Sequence, residues 1–216
     1  MPRWPVQFVK DRVQNTILPN FVICRIQTTA EAPLTSQKHN KWLSTSNEWL
    51  FINAKYMILK IIAVGRLRER YWQDAVADYA RRLQPYVRLE ILEVVESRIP
   101  EKASINEEKK AAAKEALAIL EKLKDHNGPV IVLDKNGKAF DSLMLAAWLE
   151  KQLLAGRNEM AWVIGGPLGL APAILERADL VLSFSEMTFP HQMMRLILIE
   201  QIYRSFRIMH HEPYHK

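Results

Sequence analysis

The chain has 216 residues, of which 49% are hydrophobic and 25% charged, with a formal net charge of +6. That mixture excludes collagen-like and wholly disordered chains, and no apolar run approaches the ~18–20 residues that cross a bilayer. A single cysteine, Cys24, excludes an internal disulfide framework and a cysteine-based zinc site, so the composition reads as a soluble protein of a reducing, cytoplasmic compartment.

Residues 1–56 differ from the rest. They hold Trp4, Trp42 and Trp49, the only Cys, and none of the seven Gly. Seven basic and three acidic residues give this stretch +4, whereas 23 basic and 21 acidic residues give residues 57–216 only +2. No period of 2 or 3.6 residues persists in it. Its apolar pieces are short and broken by Asp11, Arg12 and Arg25, unlike a secretory signal. The expectation is an N-terminal extension outside the folded core, either disordered or the product of a misassigned start, with Met57 as the true beginning of one domain.

From Met57 the pattern becomes regular. Ile58 to Val64 is a β-branched apolar run ending at Gly65, and predicts a buried strand. Trp72, Val76, Tyr79, Ala80 and Leu83 fall at helical spacing before Pro85. Val87, Leu89 and Ile91 alternate as a second strand. Ser104 and Glu107 form a capping-box pattern ahead of a helix to about Leu123. Residues 129–133 predict a third strand, with Asn136-Gly137 as a turn behind it. A helix over about 142–155 closes at Gly156. Residues 160–164 form a fourth strand, 171–177 a short helix and 180–184 a fifth strand. A last helix spans about 193–206. Alternating strands and helices imply an α/β fold with a largely parallel sheet covered on both faces.

Ligands of such sheets gather at the carboxyl ends of the strands. Three unusual loops lie there: Leu133-Asp134, Gly165-Gly-Pro-Leu-Gly169 and Ser185-Glu-Met-Thr-Phe-Pro-His191. Glycines let backbone N–H groups approach a ligand, although they also serve simply to turn a chain. The pattern is not the GxGxxG dinucleotide fingerprint, which disfavours a dehydrogenase. His191 is either a helix cap or a site group. Leu196, Ile199 and Tyr203 read as core, while Arg195, Glu200, Arg204 and Arg207 read as a solvated face or a functional one. The tail around Pro213-Tyr214-His215 is either frayed or an ordered binding element. His211 and His215 are separated by Pro213 and lack a third ligand, so no metal site is expected.

Several segments together resemble the RlmH-type SPOUT methyltransferases. They are residues 57–65, Val163 to Leu170, Leu182 to Arg195, Leu198 to Arg204, and the ending Pro213-Tyr-His-Lys216. The resemblance runs in order through residues 57–216 and leaves out the first 56. It implies a SPOUT-type parallel sheet covered by helices, with a C-terminal trefoil knot. It implies S-adenosylmethionine as cofactor, and N3 of a pseudouridine in large-subunit ribosomal RNA of the assembled ribosome as target. It further implies a homodimer whose sites are completed by the partner. Leu133, Gly165, Gly166, Phe184, Ser185, Glu186, Met187, Thr188 and Phe189 match cofactor-binding positions. His191, Arg195 and Glu200 match RNA-facing ones, together with Arg204, Tyr214 and His215. For catalysis, His215 is assigned the proton, Arg204 charge stabilisation and Tyr214 stacking on the base. A non-catalytic RNA-binding module, or methylation of another nucleotide, stays open at this point.

Overall fold

A strand covered on both faces needs apolar side chains on both, and the apolar runs of this chain become such strands. The computed structural model describes residues 57–100 and 102–214. Over them run β1 (Ile58–Val64), α1 (Arg70–Leu83), β2 (Arg88–Val94), α2 (Ile105–Lys122) and β3 (Val130–Ala139). There follow α3 (Ser142–Leu154), β4 (Glu159–Ile164), α4 (Pro172–Arg177), β5 (Leu180–Ser183) and α5 (His191–Met209). The five strands are all parallel, in the order β2-β1-β4-β3-β5. The expected α/β class holds. The expectations for residues 1–56 and for His215 lie outside the described residues.

Successive strand residues point to opposite faces, which divides the core in two. On one side Ile61, Trp162 and Ile131 pack with Leu83, Leu149, Leu198 and Phe206, under α1, α3 and α5. On the other, Ile62, Val132 and Val163 pack with Ile119 and Ile174, under α2 and α4. Each such side chain contributes roughly 1.5–3 kcal/mol on burial.

Helix ends follow the local chemistry. Glu107 N–H donates to Ser104 Oγ at 3.3 Å, and Ser104 N–H donates to Glu107 Oε2 at 2.8 Å. This box fixes the start of α2, and the hydrogen bond from the Ser104 backbone holds the Glu107 carboxyl below its usual range. Asp141 caps α3 by accepting from Met144 N–H at 2.7 Å. Gly156, with φ +74°, ends the helix as expected.

Two boundaries differ from the sequence reading. Asn136-Gly137 does not end the strand: β3 runs to Ala139, but Leu133 and Lys138 both pair with Leu182, so residues 134–137 bulge from the ladder between them. Gly137 is there for close approach, since a Cβ would lie 2.7 Å from the backbone of Leu182. The last helix begins at His191 and extends to Met209. His191 is thus its first residue and Pro190 precedes it, so His191 is not a side-chain cap. Proline's fixed φ and missing N–H suit the entrance to a helix.

Candidate cofactor cavity and substrate face

Because β3, β4 and β5 are adjacent and parallel, their carboxyl ends deliver three loops to one place. The loops enclose a cavity of about 760 Å³, within the usual range for small-ligand sites. The loop after β4 folds back on itself, with Gly169 N–H donating to Gly166 O at 3.0 Å and Gly169 at φ +79°. A Cβ on Gly165 would stand 2.8 Å from Leu170 Cγ, and one on Gly166 would stand 2.9 Å from Val64 Cγ1. The glycines therefore let the loop lie flat on its own end and on β1. The loop after β5 is fixed by short-range bonds: Ser183 Oγ donates to Ser185 O at 3.1 Å, and Met187 N–H donates to Ser185 Oγ at 3.0 Å.

Eight of the nine residues expected to bind cofactor line this cavity: Leu133, Gly165, Gly166, Phe184, Ser185, Met187, Thr188 and Phe189. Glu186 is not among the lining residues. Leu168, inside the glycine loop already named, supplies further apolar wall, as do Leu170 and Met194; sequence reasoning assigned neither these two nor Lys135 to the cofactor. Asp134 sits at the edge, its Oδ1 accepting from Asn136 N–H at 2.8 Å. Apolar walls, glycine backbone and a few polar groups suit a ligand with a planar base and a polar sugar, so the cavity fits a nucleoside cofactor.

His191 also lines the cavity, at the first turn of α5. The other expected substrate-facing groups are placed differently. Arg195 is only 1% exposed. Its Nη2 donates to Gly65 O at 2.6 Å and to Val64 O at 3.0 Å, and its Nη1 meets Glu93 at 2.8 Å. This corrects the expectation of an RNA-facing arginine, because the side chain is buried and both Nη groups close the carboxyl end of β1. Helical spacing alone aligned Arg195 with the charged stripe. Packing of α5 over β1 turned it inward.

Glu200, Arg204 and Tyr214 do form one cluster. Arg204 donates to Glu200 Oε1 from Nε at 3.0 Å and from Nη2 at 2.6 Å. Tyr214 O–H donates to the same oxygen at 3.2 Å, and the Arg204 guanidinium lies 4.8 Å over the Tyr214 ring. A carboxylate only accepts, so the Tyr214 proton goes to Glu200 and Tyr79 donates to Tyr214 across their 3.3 Å contact. Burial, the bond from Tyr79 and the Glu200 charge all push the Tyr214 phenol up, keeping it neutral. None of the three lines the cavity of the same chain. Thirteen helical steps lead from His191 to Arg204, about 20 Å at ~1.5 Å rise per residue.

The described part of the tail is anchored. Tyr86 O–H donates to Glu212 Oε2 at 2.5 Å, Arg207 pairs with Glu212 at 2.7 Å, and the His210 ring stacks on Tyr86 at 5.1 Å. Burial, reinforced by Glu212, pushes Tyr86 up to about 12. The segment through Tyr214 is therefore an ordered element. His215 lies outside the described residues.

Comparisons with known proteins identify the family. Residues 57–215 match the family described as "Predicted SPOUT methyltransferase". The chain is 48% identical over 160 residues to the Ribosomal RNA large subunit methyltransferase H of Clostridium acetobutylicum, covering 74% of this chain and 100% of that protein. Similar solved structures include a probable methyltransferase from Bordetella pertussis Tohama I, at 15% identity and TM-score 0.43, covering 74% of this chain and 99% of that one. Another is a probable methylase family protein from Haemophilus influenzae Rd KW20, at 12% identity and TM-score 0.43, covering 76% and 71%. The chain belongs to the SPOUT methyltransferase family.

Proposed function

We propose that the domain from residue 57 onward transfers a methyl group from S-adenosylmethionine to N3 of a pseudouridine in large-subunit ribosomal RNA, acting in the cytoplasm on the assembled ribosome. One observation carries the reading. Three strand-end loops converge on a cavity of about 760 Å³, and the helix that begins at its wall bears a preorganised Arg204–Glu200–Tyr214 cluster. The name of the 48% identical relative supports ribosomal RNA as the substrate class.

Leu133, Gly165, Gly166 and residues 184–189 would hold the cofactor, which supplies a methyl group already joined to a good leaving group. The chain itself has to align and desolvate the reactants, worth ~7–11 kcal/mol at best. N3 of a pseudouridine is a weakly acidic imide, so its proton must leave as it attacks. In this reading His215 accepts that proton, Arg204 stabilises the resulting charge, and Tyr214 stacks on the base. Glu200 holds Arg204 in place, which lowers the entropy lost when the substrate arrives.

A homodimer completes the site. The span of about 20 Å along α5 separates the cavity from the cluster within one chain, and an antiparallel pairing would bring Arg204 of the partner subunit to it. Leu143 and Met144 are 54% and 44% exposed beside this cluster, where Ser142 Oγ bonds to Gln201 at 2.8 Å. Exposed apolar groups there suit a subunit contact. A trefoil knot in the C-terminal part belongs to the same reading.

The test is titration of S-adenosylmethionine into the full chain by calorimetry, followed by transfer of labelled methyl to assembled ribosomes and to naked RNA. Saturable binding and label in the assembled particle are expected. Absence of binding overturns the reading and favours a non-catalytic RNA-binding module.

A further inference from the structure

Beneath the glycine loop lies a buried acid that the reaction above does not use. Glu115 projects from α2 and is 3% exposed. Its Oε1 accepts from Ser97 N–H at 2.7 Å. Its Oε2 is buried with no hydrogen-bond partner among the described residues. That oxygen points at the cavity floor, since a Cβ built on Gly166 would stand 3.2 Å from it. Gly166 lines the cavity, so one layer of backbone separates the carboxyl from the ligand space.

A buried carboxyl with one empty oxygen is costly unless a charge or proton offsets it. The charged groups facing it are few. Glu96, from the segment after β2, opposes its ionisation, and His191, from the start of α5, favours it. Val64 of β1 adds only apolar surface on the Gly166 side. Burial outweighs the Ser97 bond and raises the carboxyl above its usual range. The site thus holds an acid poised to ionise when a positive charge is brought above it.

We propose that Glu115 is a positioning residue that ionises beneath the Gly166 loop and selects a cationic cofactor over its neutral demethylated product. This deepens the assignment of the cavity to S-adenosylmethionine and rests on it. S-adenosylmethionine carries a sulfonium; S-adenosylhomocysteine, one methyl smaller, carries a neutral thioether in the same scaffold. Attraction between unit charges about 12 Å apart, at an effective dielectric near 20, is worth about tenfold in affinity. The sign with pH follows directly. At low pH Glu115 is neutral and the two ligands bind alike, and as pH rises through its raised transition the cation gains.

The experiment is calorimetric titration of the full chain with each ligand from about pH 5 to about pH 8, for wild type and Glu115→Gln. Gln keeps the oxygen that accepts from Ser97 N–H. Wild type is expected to favour S-adenosylmethionine increasingly with pH, to about tenfold. In Glu115→Gln that preference falls to near one at every pH, while S-adenosylhomocysteine binds as in wild type. A variant that weakens both ligands equally would show a packing role and overturn the proposal. So would an unchanged preference. If the variant does not fold, the ratio is followed in His191→Gln: a flat ratio overturns the proposal, and a rise that persists without the His191 imidazole supports it. Wild type that binds neither ligand overturns the cofactor assignment itself, and the role of Glu115 with it.

Discussion

Arg204 directs two N–H groups at a single oxygen of Glu200, at 3.0 and 2.6 Å, four residues earlier on the same helix. The pair is partly buried, with side chains 26% and 17% exposed. Tyr214 reaches the same oxygen from the tail, so one carboxylate fixes both a cation and an aromatic ring. Arg204→Ala is expected to lower turnover on ribosomes by about 100-fold, the scale of removing one charge-stabilising donor. Affinity for S-adenosylmethionine should stay within about twofold, because the cavity is lined by other residues. Lysine should not rescue it, since the two hydrogen bonds to Glu200 and the ring contact need the planar guanidinium. Single-turnover kinetics alongside calorimetry checks both halves.

Arg195 yields a different signature. Its removal strands the carbonyls of Val64 and Gly65 and unpairs Glu93. Arg195→Met is expected to cost about 3 kcal/mol of stability, measured by urea unfolding. A loss of activity at unchanged stability would contradict the structural role.

Gly137→Ala tests the close approach of β3 to β5. A methyl there meets the Leu182 backbone at 2.7–2.8 Å, where nothing can swing aside. The expected loss is about 2 kcal/mol, with weaker cofactor binding because β5 carries the Phe184–Phe189 loop. If Gly137 stood in a free turn, the substitution would be nearly neutral.

The anchored tail has a pH signature. Tyr86 is pushed up to about 12, above its ordinary value near 10. Between those values the folded chain keeps a proton that the unfolded chain has lost. Stability from this group is therefore full below about pH 10 and disappears as pH rises through about 12. Tyr86→Phe should flatten that part of the alkaline unfolding curve, monitored by circular dichroism.

Much of this architecture was legible from the chain. Ile58–Val64 and Glu159–Ile164 are apolar on both faces because parallel strands are buried on both, and Ser104 with Glu107 announces a helix start by its own chemistry. Asn136-Gly137 marked the bulge at 134–137, but not that the strand resumes at Lys138 or that Gly137 is pressed on a neighbour 45 residues away. Arg195 and Glu115 were hidden for a related reason: Arg195 groups by spacing with Glu200, Arg204 and Arg207, Glu115 lies in the Glu- and Lys-rich α2, and only tertiary packing decides which charge turns inward. The cavity loops were visible as glycine-rich strand ends. The pairing of Tyr214 with Glu200 joins tail to helix across a bend, at φ +53° in His211, that no local pattern specifies.

The most direct test of the proposed reaction is nucleoside mass spectrometry of large-subunit ribosomal RNA from cells with and without the gene. Loss of a single methyl from one pseudouridine, restored by the wild-type gene and not by Arg204→Ala, is the predicted result. An RNA methylation profile unchanged by deletion would contradict it.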